Sequence, residues 1–490
     1  MAPLAVDLLV LTFNCAAAFV NVAVFANHVH TAFVDNATAL PDLVVLSLQE
    51  LAPLSPSFIG DYFLHPYFSR FDDAVNLAAR RHEGGSSAGP ARAPVSATSN
   101  SADSDATGAK KPYTLLAAHN VGYTAVLLFA RDPKRIQDLR DAQVGFGAAE
   151  MGNKGAVGLR MLYDVNGDGQ QATELTFVAT HLAAMEWNLP RRNANWAAIV
   201  RGMTFEDPKV VLQNASGGVG TESDRLLQDT AADDDDDDED RSRARRRLHD
   251  ISIYKPTSHL FVAGDLNYRI STTSPPPNAA FPSLDAASEN FYPRFFPLDQ
   301  LTRERTAGRT LHGLSEHEVK FPPTYKYNVL PKKAPTSDED ETEVPWEFAP
   351  HRYPGWTDRV LYLDVPSWVK KTQQADSPKM AVKAYNALPL MRTSDHRAVY
   401  LRIDVPLVSR EEMIPPASLL REQASSSSTD PRLRLPVDVN PEAWTRRRAA
   451  RRLELITGWS AFLWSTKEGA WVLATFLAVG IGSYWWLYKQ

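Results

Sequence analysis

The hydrophobic positions of this chain fall into short apolar runs, most of which end at a glycine or a polar side chain. Runs of this length, bounded by turn-forming residues, predict strands buried within a sheet. The predicted strands are Asp7–Phe13, Leu43–Glu50, Gly122–Ala130, Gly155–Tyr163, Glu174–Thr180, Leu260–Ala263, Arg359–Val365 and Ala398–Val405. Apolar residues at helical spacing predict helices at Asn21–Ala39 and Glu186–Ile199. Strands and helices in this succession indicate an α/β fold in which candidate metal-binding and catalytic side chains lie at one edge of the sheet.

The run Leu260–Ala263 stops at Gly264 and is followed by Asp265, Asn267 and Arg269 at alternate positions. If the backbone stayed extended, these three side chains would point the same way. A carboxylate, an amide and a guanidinium at the mouth of a buried strand suit a metal-assisted reaction on a phosphate. Taken alone, the stretch is better explained as a strand followed by an Asx-type turn, and the rest of the chain decides between the two interpretations.

Three polar stretches interrupt the pattern, at about 81–111, 207–250 and 331–344. Their lack of large apolar residues predicts disordered inserts in a single catalytic domain that covers residues 1–405. The second insert joins an acidic run, 233–238, to a basic run, 241–247. This acidic run lacks the spaced ligands and the turn glycine of a calcium loop, which favours a solvated tract. Residues 406–468 are predicted to form a polar and basic linker.

Residues 469–488 contain no charged side chain and are long enough to span a bilayer as a helix. Aromatic residues cluster at the far end of this segment, as they do at a membrane interface. Five arginines precede it and place the preceding chain on the cytosolic side. These arginines either set topology only or also bind anionic headgroups. We therefore expect a transmembrane tail anchor, and its short lumenal tail favours the thin bilayer of the endoplasmic reticulum.

Composition and charge narrow the classes of function. The chain has 490 residues, of which 44% are hydrophobic and 22% charged, and its formal net charge is −6. These values are typical of a globular protein and give no basic signal for a nucleic-acid partner. The single cysteine, Cys15, excludes an intramolecular disulfide framework and suits a reducing, cytosol-facing compartment. Protein partners are not indicated.

Candidate ligands recur at the ends of the predicted strands, and strand ends of one sheet converge on one rim. They are Asn14, Glu50, His181, Asp265, Asn267, Asp358, Asp395 and His396. Glu50 and Asn14 can supply the few oxygens that Mg²⁺ takes from a protein. Asp265, held by Asn267, can deprotonate a water for in-line attack on phosphorus. His181 and His396 can stabilise the charge that develops on the phosphoryl oxygens.

Two further segments carry groups suited to a phosphate. In Glu150-Met-Gly-Asn-Lys-Gly-Ala156, backbone amides can approach a phosphate while Lys154 adds positive charge. In Phe321-Pro-Pro-Thr-Tyr-Lys-Tyr327, Lys326 lies between two tyrosines on a turn stiffened by proline. Taken singly, each segment is equally compatible with an ordinary turn that bears a solvated lysine.

In order along the chain, these segments resemble the inositol polyphosphate 5-phosphatases, which belong to the DNase I-like endonuclease/exonuclease/phosphatase superfamily. The resemblance covers roughly residues 7–404. Its specific motifs are Gly264-Asp-Leu-Asn-Tyr-Arg269 and Pro354-Gly-Trp-Thr-Asp-Arg-Val-Leu361, accompanied by Ser394-Asp-His396. Val262 stands where this family often has Trp, and Gly355 where Ser or Ala is common, but neither departure removes a chemical group.

The resemblance implies a four-layer sandwich of two packed β-sheets flanked by helices, and it implies residue roles. Glu50 with Asn14 would hold Mg²⁺, and Asp265 beside Asn267 would activate water. His181 and His396 would bind the scissile 5-phosphate, with Asp358 orienting His396 and Asp395 on the metal side. The groups that would contact the substrate around the neighbouring 4-phosphate are Asn153, Lys154, Tyr325, Lys326 and Arg352.

The function that follows is hydrolysis of the 5-phosphate of phosphatidylinositol 4,5-bisphosphate, or of the 3,4,5-trisphosphate, at a cytosol-facing membrane. The predicted anchor favours a lipid over a soluble inositol phosphate, because it raises the effective concentration near the membrane. Two alternatives use the same superfamily core: a membrane-bound sphingomyelinase or a nuclease. A third is a phosphoinositide-binding tether with a weak or inactive site.

Overall fold

The computed structural model describes residues 5–84, 111–167, 172–216, 236–331, 344–369, 377–422 and 430–489. Two six-stranded mixed sheets form its centre. The first sheet has the order β13-β14-β1-β2-β4-β3. Its strands are β1 Ala5–Asn14, β2 Leu43–Gln49, β3 Thr114–Val121, β4 Thr124–Ala130, β13 Ala381–Ala387 and β14 Val399–Pro406. Only β1 and β2 run parallel, and the other described pairs of this sheet are antiparallel.

The second sheet has the order β5-β6-β7-β8-β12-β9. Its strands are β5 Ile136–Gly145, β6 Gly155–Asp164, β7 Ala172–His181, β8 Ser258–Asp265, β9 Leu314–Ser315 and β12 Asp358–Leu363. Here the parallel pair is β7 with β8. A separate hairpin pairs β10, Tyr327–Val329, with β11, Trp346–Phe348. Each large sheet therefore contains one parallel pair, and these two pairs deliver strand ends to the site.

Alternating side chains explain why the central strands are apolar throughout. In β1, Val6, Leu8 and Val10 lie in the core between the two sheets. Leu9 and Leu11 point to the opposite face and pack with the outer helices. Because both faces of such a strand are covered, its sequence is continuously hydrophobic rather than alternating.

Helices cover the outer face of each sheet, which gives the predicted four layers. α1 and α3 pack on the first sheet, and α4 packs on the second. The described helices are α1 Val22–Val34, α2 Leu54–Ile59, α3 His65–Gly84, α4 Leu189–Gly202, α5 Pro208–Ser216, α6 Asp236–Ile251, α7 Gln300–Thr306, α8 Arg410–Met413, α9 Ala417–Glu422, α10 Ala443–Ser465 and α11 Lys467–Tyr488.

The predicted disordered inserts require correction where the structure describes them. Residues 81–84 form the last turn of α3, and residues 207–250 contain α5 and most of α6. The prediction was wrong there because α6, though strongly charged, buries Arg247 and Ile251 one turn apart on one face. The other residues of the first two inserts, 85–110 and 217–235, and positions 332–343 of the third lie outside the described residues.

The predicted linker, residues 406–468, also requires correction, because much of it packs on the catalytic domain. The buried positions of α10 are Ala443, Ala450, Glu454 and Gly458, which share one helical face. Gly458 brings α10 into close contact with α2: a Cβ there would lie 2.9 Å from Phe58 Cβ. Small residues and one carboxylate do not make an apolar stripe, so the composition of α10 resembles that of a linker.

Four of the five arginines before the apolar segment contact protein groups. Arg446 pairs with Glu150 at 3.2 Å and Arg448 with Asp207 at 3.1 Å. Arg447 forms two bonds with Glu454, and Arg451 donates to the carbonyl oxygens of Phe58 and Ile59. These arginines therefore help to attach α10 to the domain.

Among the described residues, α11 is the one helix long and apolar enough to cross a membrane. Its mean hydropathy is 1.5 over the most apolar window, and none of that window is buried against the rest of the chain. Exposed aromatic residues, Trp459 and Trp464, precede α11 on α10. α11 is thus a candidate membrane anchor that begins where the packed helix α10 ends.

Candidate active site

Three candidate residues lie side by side at the end of the second sheet. Asp265 ends β8, where it is paired with His181 of the parallel strand β7. On its other side Asp265 faces Asp358, the first residue of the antiparallel strand β12. Strand pairing therefore brings together residues that are 84 and 93 positions apart in the chain, since the register places all three at one level of the sheet.

Asp265 is buried and surrounded by nitrogen donors. Its Oδ2 lies 3.2 Å from His181 Nε2 and 4.0 Å from His396 Nε2. Asn14 of the first sheet donates from Nδ2 to the same oxygen at 3.2 Å. Burial alone would raise the pKa of Asp265, but the His181 hydrogen bond and the nearby positive groups hold this pKa well below its usual range. Asp265 is therefore a carboxylate at neutral pH.

The chain turns two residues after Asp265, at a residue whose backbone adopts the left-handed conformation. Asn267 has a φ of +58°, and its N–H donates to Asp265 Oδ1 at 3.1 Å. The expectation of three side chains on one extended face was wrong, because this turn ends the strand. The turn still groups them, since Arg269 donates from Nε to the Asn267 carbonyl and from Nη2 to Asn267 Oδ1.

Arg269, which the sequence places in the candidate site without an individual role, is a buried member of this cluster. Its guanidinium lies 4.3 Å from the ring centroid of Tyr325. It is buried, and its Nη1 has no hydrogen-bond partner among the described residues. A buried donor without a partner is costly, so it marks a place where a bound anion would be stabilised. Its position in the motif that contains Asp265 was the available signal.

His396 is held as a cation by carboxylates. Its Nδ1 lies 2.9 Å from Asp358 Oδ2, an oxygen that also accepts from the hydroxyls of Thr324 and Thr357. Burial opposes the charged form, but Asp358 and the other nearby carboxylates outweigh it and raise the pKa of His396 to about 9. In contrast, burial and the charge of Lys154 lower the pKa of His181. The two histidines thus differ in charge at neutral pH.

Lys154 lies between Glu50, which follows a strand of the first sheet, and His181 of the second sheet. Its Nζ contacts His181 Nε2 and is 3.9 Å from Glu50 Oε1. Glu50 follows β2, has a φ of +47°, and keeps 43% of its side chain exposed. The predicted metal residues Glu50 and Asn14 stand at the ends of the neighbouring strands β2 and β1, where Glu50 faces Lys154 and Asn14 contacts Asp265. Asn153, the residue before Lys154, is exposed on the same loop.

Of the remaining predicted substrate residues, Tyr325 contacts His396 directly, while Lys326 and Arg352 pair with carboxylates. The Tyr325 ring packs against the His396 ring with centroids 4.4 Å apart. Lys326 Nζ is 2.7 Å from Asp395 Oδ2, and Asp395 Oδ1 is 3.9 Å from His396 Nε2. Arg352 pairs with the buried Glu186 at 3.1 Å, which sequence reasoning did not single out. Lys326 and Arg352 are thus positioned by carboxylates before any substrate binds.

A group of possible metal-binding residues lies within this cluster. Each of Asp265, Asp358 and His396 offers one ligand atom, and these three atoms all lie within 4.8 Å of one another. Two residues of this group are already hydrogen-bonded to one another, since His396 Nδ1 donates to Asp358 Oδ2. Glu50 is the more open carboxylate, and its nearest charged partner described here is Lys154 at 3.9 Å.

Comparison with known sequences gives one family match. The family described as endonuclease/exonuclease/phosphatase family 2 matches residues 11–402, which is most of the chain. Among curated proteins, the polyphosphatidylinositol phosphatase INP53 of Saccharomyces cerevisiae is 27% identical over 363 residues. That alignment covers 74% of this chain and 23% of the relative.

Two further relatives show the same partial coverage. Type II inositol polyphosphate 5-phosphatase 15 of Arabidopsis thaliana is 28% identical over 272 residues, 55% of this chain and 22% of that protein. Human synaptojanin-1 is 26% identical over 319 residues, 61% of this chain and 16% of that protein. The aligned stretches thus span less than a quarter of the length of each of these relatives.

Among solved structures, the inositol polyphosphate 5-phosphatase domain of a synaptojanin, in complex with inositol (1,4)-bisphosphate and a calcium ion, is 21% identical. It covers 86% of this chain and 93% of its own chain, with a TM-score of 0.47.

Proposed function

The chain belongs to endonuclease/exonuclease/phosphatase family 2, and from this premise we propose that it is a metal-dependent phosphoinositide 5-phosphatase. The observation that carries the proposal is the contact of the buried Asp265 with both His181 and His396. A general base within 4.0 Å of two phosphate-binding histidines suits phosphate monoester hydrolysis. The names of the relatives described above support the same reaction, with the lipid 4,5-bisphosphate as the proposed substrate.

In the proposed reaction Asp265 accepts a proton from the attacking water at a carboxylate oxygen. The water oxygen forms a bond to the 5-phosphorus, and the bond from phosphorus to the inositol 5-oxygen breaks. The products are inorganic phosphate and the 4-phosphate lipid, whose 5-oxygen takes up a proton from the solvent, and Asp265 returns its proton to the solvent. Because its pKa is low, Asp265 is ionised and ready to act at neutral pH.

His396 and His181 have different proposed tasks. His396 is an imidazolium at neutral pH, so it offers positive charge to the phosphoryl oxygens throughout the reaction. Its hydrogen bond to Asp358 fixes the orientation of the ring. His181 is predominantly neutral and can donate a hydrogen bond while Lys154 beside it supplies charge.

The residues at the rim fit a hard divalent cation such as Mg²⁺. Glu50 offers a half-open carboxylate, and Asn14 adds an amide oxygen at the neighbouring strand end. Mg²⁺ takes one or two carboxylates and keeps several waters, which matches this sparse set of donors. When bound, the ion would neutralise charge on the phosphate and polarise its phosphorus–oxygen bonds.

The substrate proposal extends to the phosphate next to the scissile one. Lys326, held by Asp395, and Arg352, held by Glu186, lie on the Tyr325 side of His396. Together with Asn153 and Lys154 on the opposite loop, they form a set of donors suited to a 4-phosphate. Arginine and lysine fixed by carboxylates lose little side-chain entropy when an anion binds.

We further propose that α11 anchors the enzyme in a membrane, with the catalytic domain in the cytosol. The length and apolar composition of α11 support this, as do the interfacial aromatics at both of its ends. The endoplasmic reticulum, whose bilayer is thin, is the membrane that we propose for so short a segment.

Phosphate release tests the function. The full chain would be assayed with Mg²⁺ on vesicles that contain single phosphoinositides, and on soluble inositol phosphates. We expect release from the 4,5-bisphosphate lipid, none from a lipid without a 5-phosphate, and loss of release after chelation of the metal. Asp265→Asn should abolish turnover while the protein still binds these vesicles. Unchanged release by Asp265→Asn contradicts the mechanism, and lipid binding without release by the wild type identifies a tether.

A further inference from the structure

The loop that joins β5 to β6, residues 146–154, contacts α10 from the C-terminal part of the chain. The backbone N–H of Gly152 donates to Glu454 Oε1 at 2.8 Å, across 302 positions of sequence. Both residues are buried, so water does not readily replace this acceptor. The contact fixes the loop two residues before Lys154, whose ammonium group reaches His181 and Glu50.

Glu454 is itself held rigidly. Its side chain is fully buried. Arg447, seven residues earlier on α10, donates to both of its carboxylate oxygens, at 2.6 and 2.7 Å. Arg451 adds a contact at 3.6 Å. A buried ion pair contributes little to stability compared with apolar residues of similar size. An extended hydrogen-bonded network of this kind therefore suits a role in fixing geometry.

The loop is also held from its opposite side. Gly152 lies so close to the turn between β3 and β4 that a Cβ would be 2.5 Å from Val121 Cγ1 and 2.8 Å from Gly122 N. Tyr123 donates its N–H to the Gly152 carbonyl at 3.3 Å. Gly152 is thus enclosed between this turn and Glu454, two residues before Lys154.

α10 links this contact to the apolar helix. Arg451 donates to the carbonyls of Phe58 and Ile59 at the end of α2, and α11 follows α10 after the single residue Thr466. One continuous element thus connects the substrate-side loop with the candidate membrane segment.

We propose that Glu454 is a positioning residue for substrate binding: through Gly152 it holds Lys154 at the phosphate site, and α10 thereby couples the apolar helix to that site. This inference rests on the proposed phosphatase function. The ligand chemistry is a phosphate group adjacent to the scissile one, presented on a lipid.

The test compares variants of the full chain in phosphatidylcholine vesicles that contain the 4,5-bisphosphate lipid. The double variant Arg447→Leu/Glu454→Leu replaces the ion pair by apolar side chains and removes the acceptor of Gly152. We expect its KM to rise about fivefold to tenfold, as for loss of one typical intramolecular hydrogen bond, with kcat within about twofold of the wild type. Glu442→Gln, an exposed change at the residue directly before the same helix, should alter neither constant.

The pattern of constants separates positioning from a structural role. Partial unfolding would lower kcat in proportion to the active fraction and leave KM unchanged. A double variant with unchanged KM therefore overturns the proposal. If that variant does not fold, Gly458→Val serves instead. The valine side chain would push α10, and Glu454 with it, away from its neighbours around Phe58, while residue 454 remains a glutamate. The same rise in KM is expected for it, and an unchanged KM again overturns the proposal.

Amide hydrogen exchange of residues 146–154 gives a readout that is independent of catalysis. We expect faster exchange in the double variant than in the wild type or Glu442→Gln, and equal rates overturn the positioning role. If the wild type releases no phosphate, the proposed function fails, while the exchange rates still decide whether Glu454 holds the loop.

Discussion

His396 Nδ1 lies 2.9 Å from Asp358 Oδ2, and this pair holds a positive charge at the centre of a buried site. The pKa of His396 is raised to about 9 in spite of burial, because Asp358 and two other carboxylates surround it. The ring therefore carries its proton throughout the neutral range and loses it only as the pH passes through about 9.

The first prediction concerns the alkaline side of the pH profile. Activity should fall as the pH rises through about 9, since deprotonated His396 no longer offers positive charge to the phosphate. Asp358→Asn removes the main cause of the raised pKa, so the fall should move to lower pH. The measurement is kcat against pH with Mg²⁺ held constant. An alkaline limb that stays in place in Asp358→Asn would assign it to another group.

A second prediction concerns acid stability and uses His28 of α1. Burial lowers the pKa of His28 to about 4, and neither ring nitrogen has a hydrogen-bond partner among the described residues. The unfolded chain binds this proton at about pH 6.5 and the folded chain only near pH 4, so stability is present above 6.5 and falls as the pH decreases. The loss between these pH values is about 3 kcal/mol.

Denaturant unfolding of the wild type and His28→Leu at pH 7 and pH 4.5 measures this effect. The variant should lose less stability on acidification than the wild type does. His351→Leu, a change at an exposed histidine, provides the control. Equal losses in the wild type and His28→Leu would contradict the assignment.

A third prediction concerns the close approach of β7 and β8 at the site. A Cβ on Gly264 would lie 1.9 Å from the Thr180 carbonyl oxygen, which belongs to the sheet backbone and cannot move freely. Gly264→Ala should therefore destabilise the protein by about 3 kcal/mol and displace Asp265. The midpoint of thermal unfolding and the phosphate-release rate measure the two effects.

Gly355 supplies the matched control for this change. A Cβ there would find its nearest neighbour, Arg269 Cα, 4.0 Å away. Gly355→Ala should leave the unfolding midpoint nearly unchanged. If both alanine variants behave alike, close backbone approach is not what requires glycine at position 264.

A fourth prediction concerns specificity. Lys326→Gln removes an ammonium group that Asp395 holds at 2.7 Å near His396. The KM for the 4,5-bisphosphate lipid should rise about tenfold, as for loss of one charge-assisted contact, while a substrate without the 4-phosphate should be affected little. Lys320→Gln on the preceding segment, where the lysine is 73% exposed, is the control. An equal loss on both substrates would remove Lys326 from recognition of the 4-phosphate.

Much of the fold could be predicted from the pattern of hydrophobic residues. Strands with both faces covered are continuously apolar, so β1, β2, β7 and β8 were recognisable with small errors at their ends. The strands β3, β5 and β13 were missed because they are only partly buried, so their sequences are interrupted by polar residues rather than continuously apolar. The inserts and the linker were misjudged in part, since a charged helix can bury a narrow face that composition does not reveal.

The residues of the candidate site also divide into those that the sequence could predict and those that it could not. Asp265, His181 and Asp358 were identifiable because polar residues at the ends of buried strands carry a local signal, and strand ends meet at one rim. Glu186 carries no such signal, because what distinguishes it is its burial and its pairing with Arg352.

The sequence by itself determined the strands, the candidate ligands at their ends and an apolar segment long enough to cross a membrane. These features depend on local patterns of residues, which can be recognised in one amino-acid sequence. Only the tertiary structure decided that His181 and Asp358 stand on either side of Asp265, and that Glu454 reaches Gly152. Such contacts depend on strand register and on a helix face made mostly of small residues, and both are set by packing between segments that lie 84 to 302 positions apart in the chain.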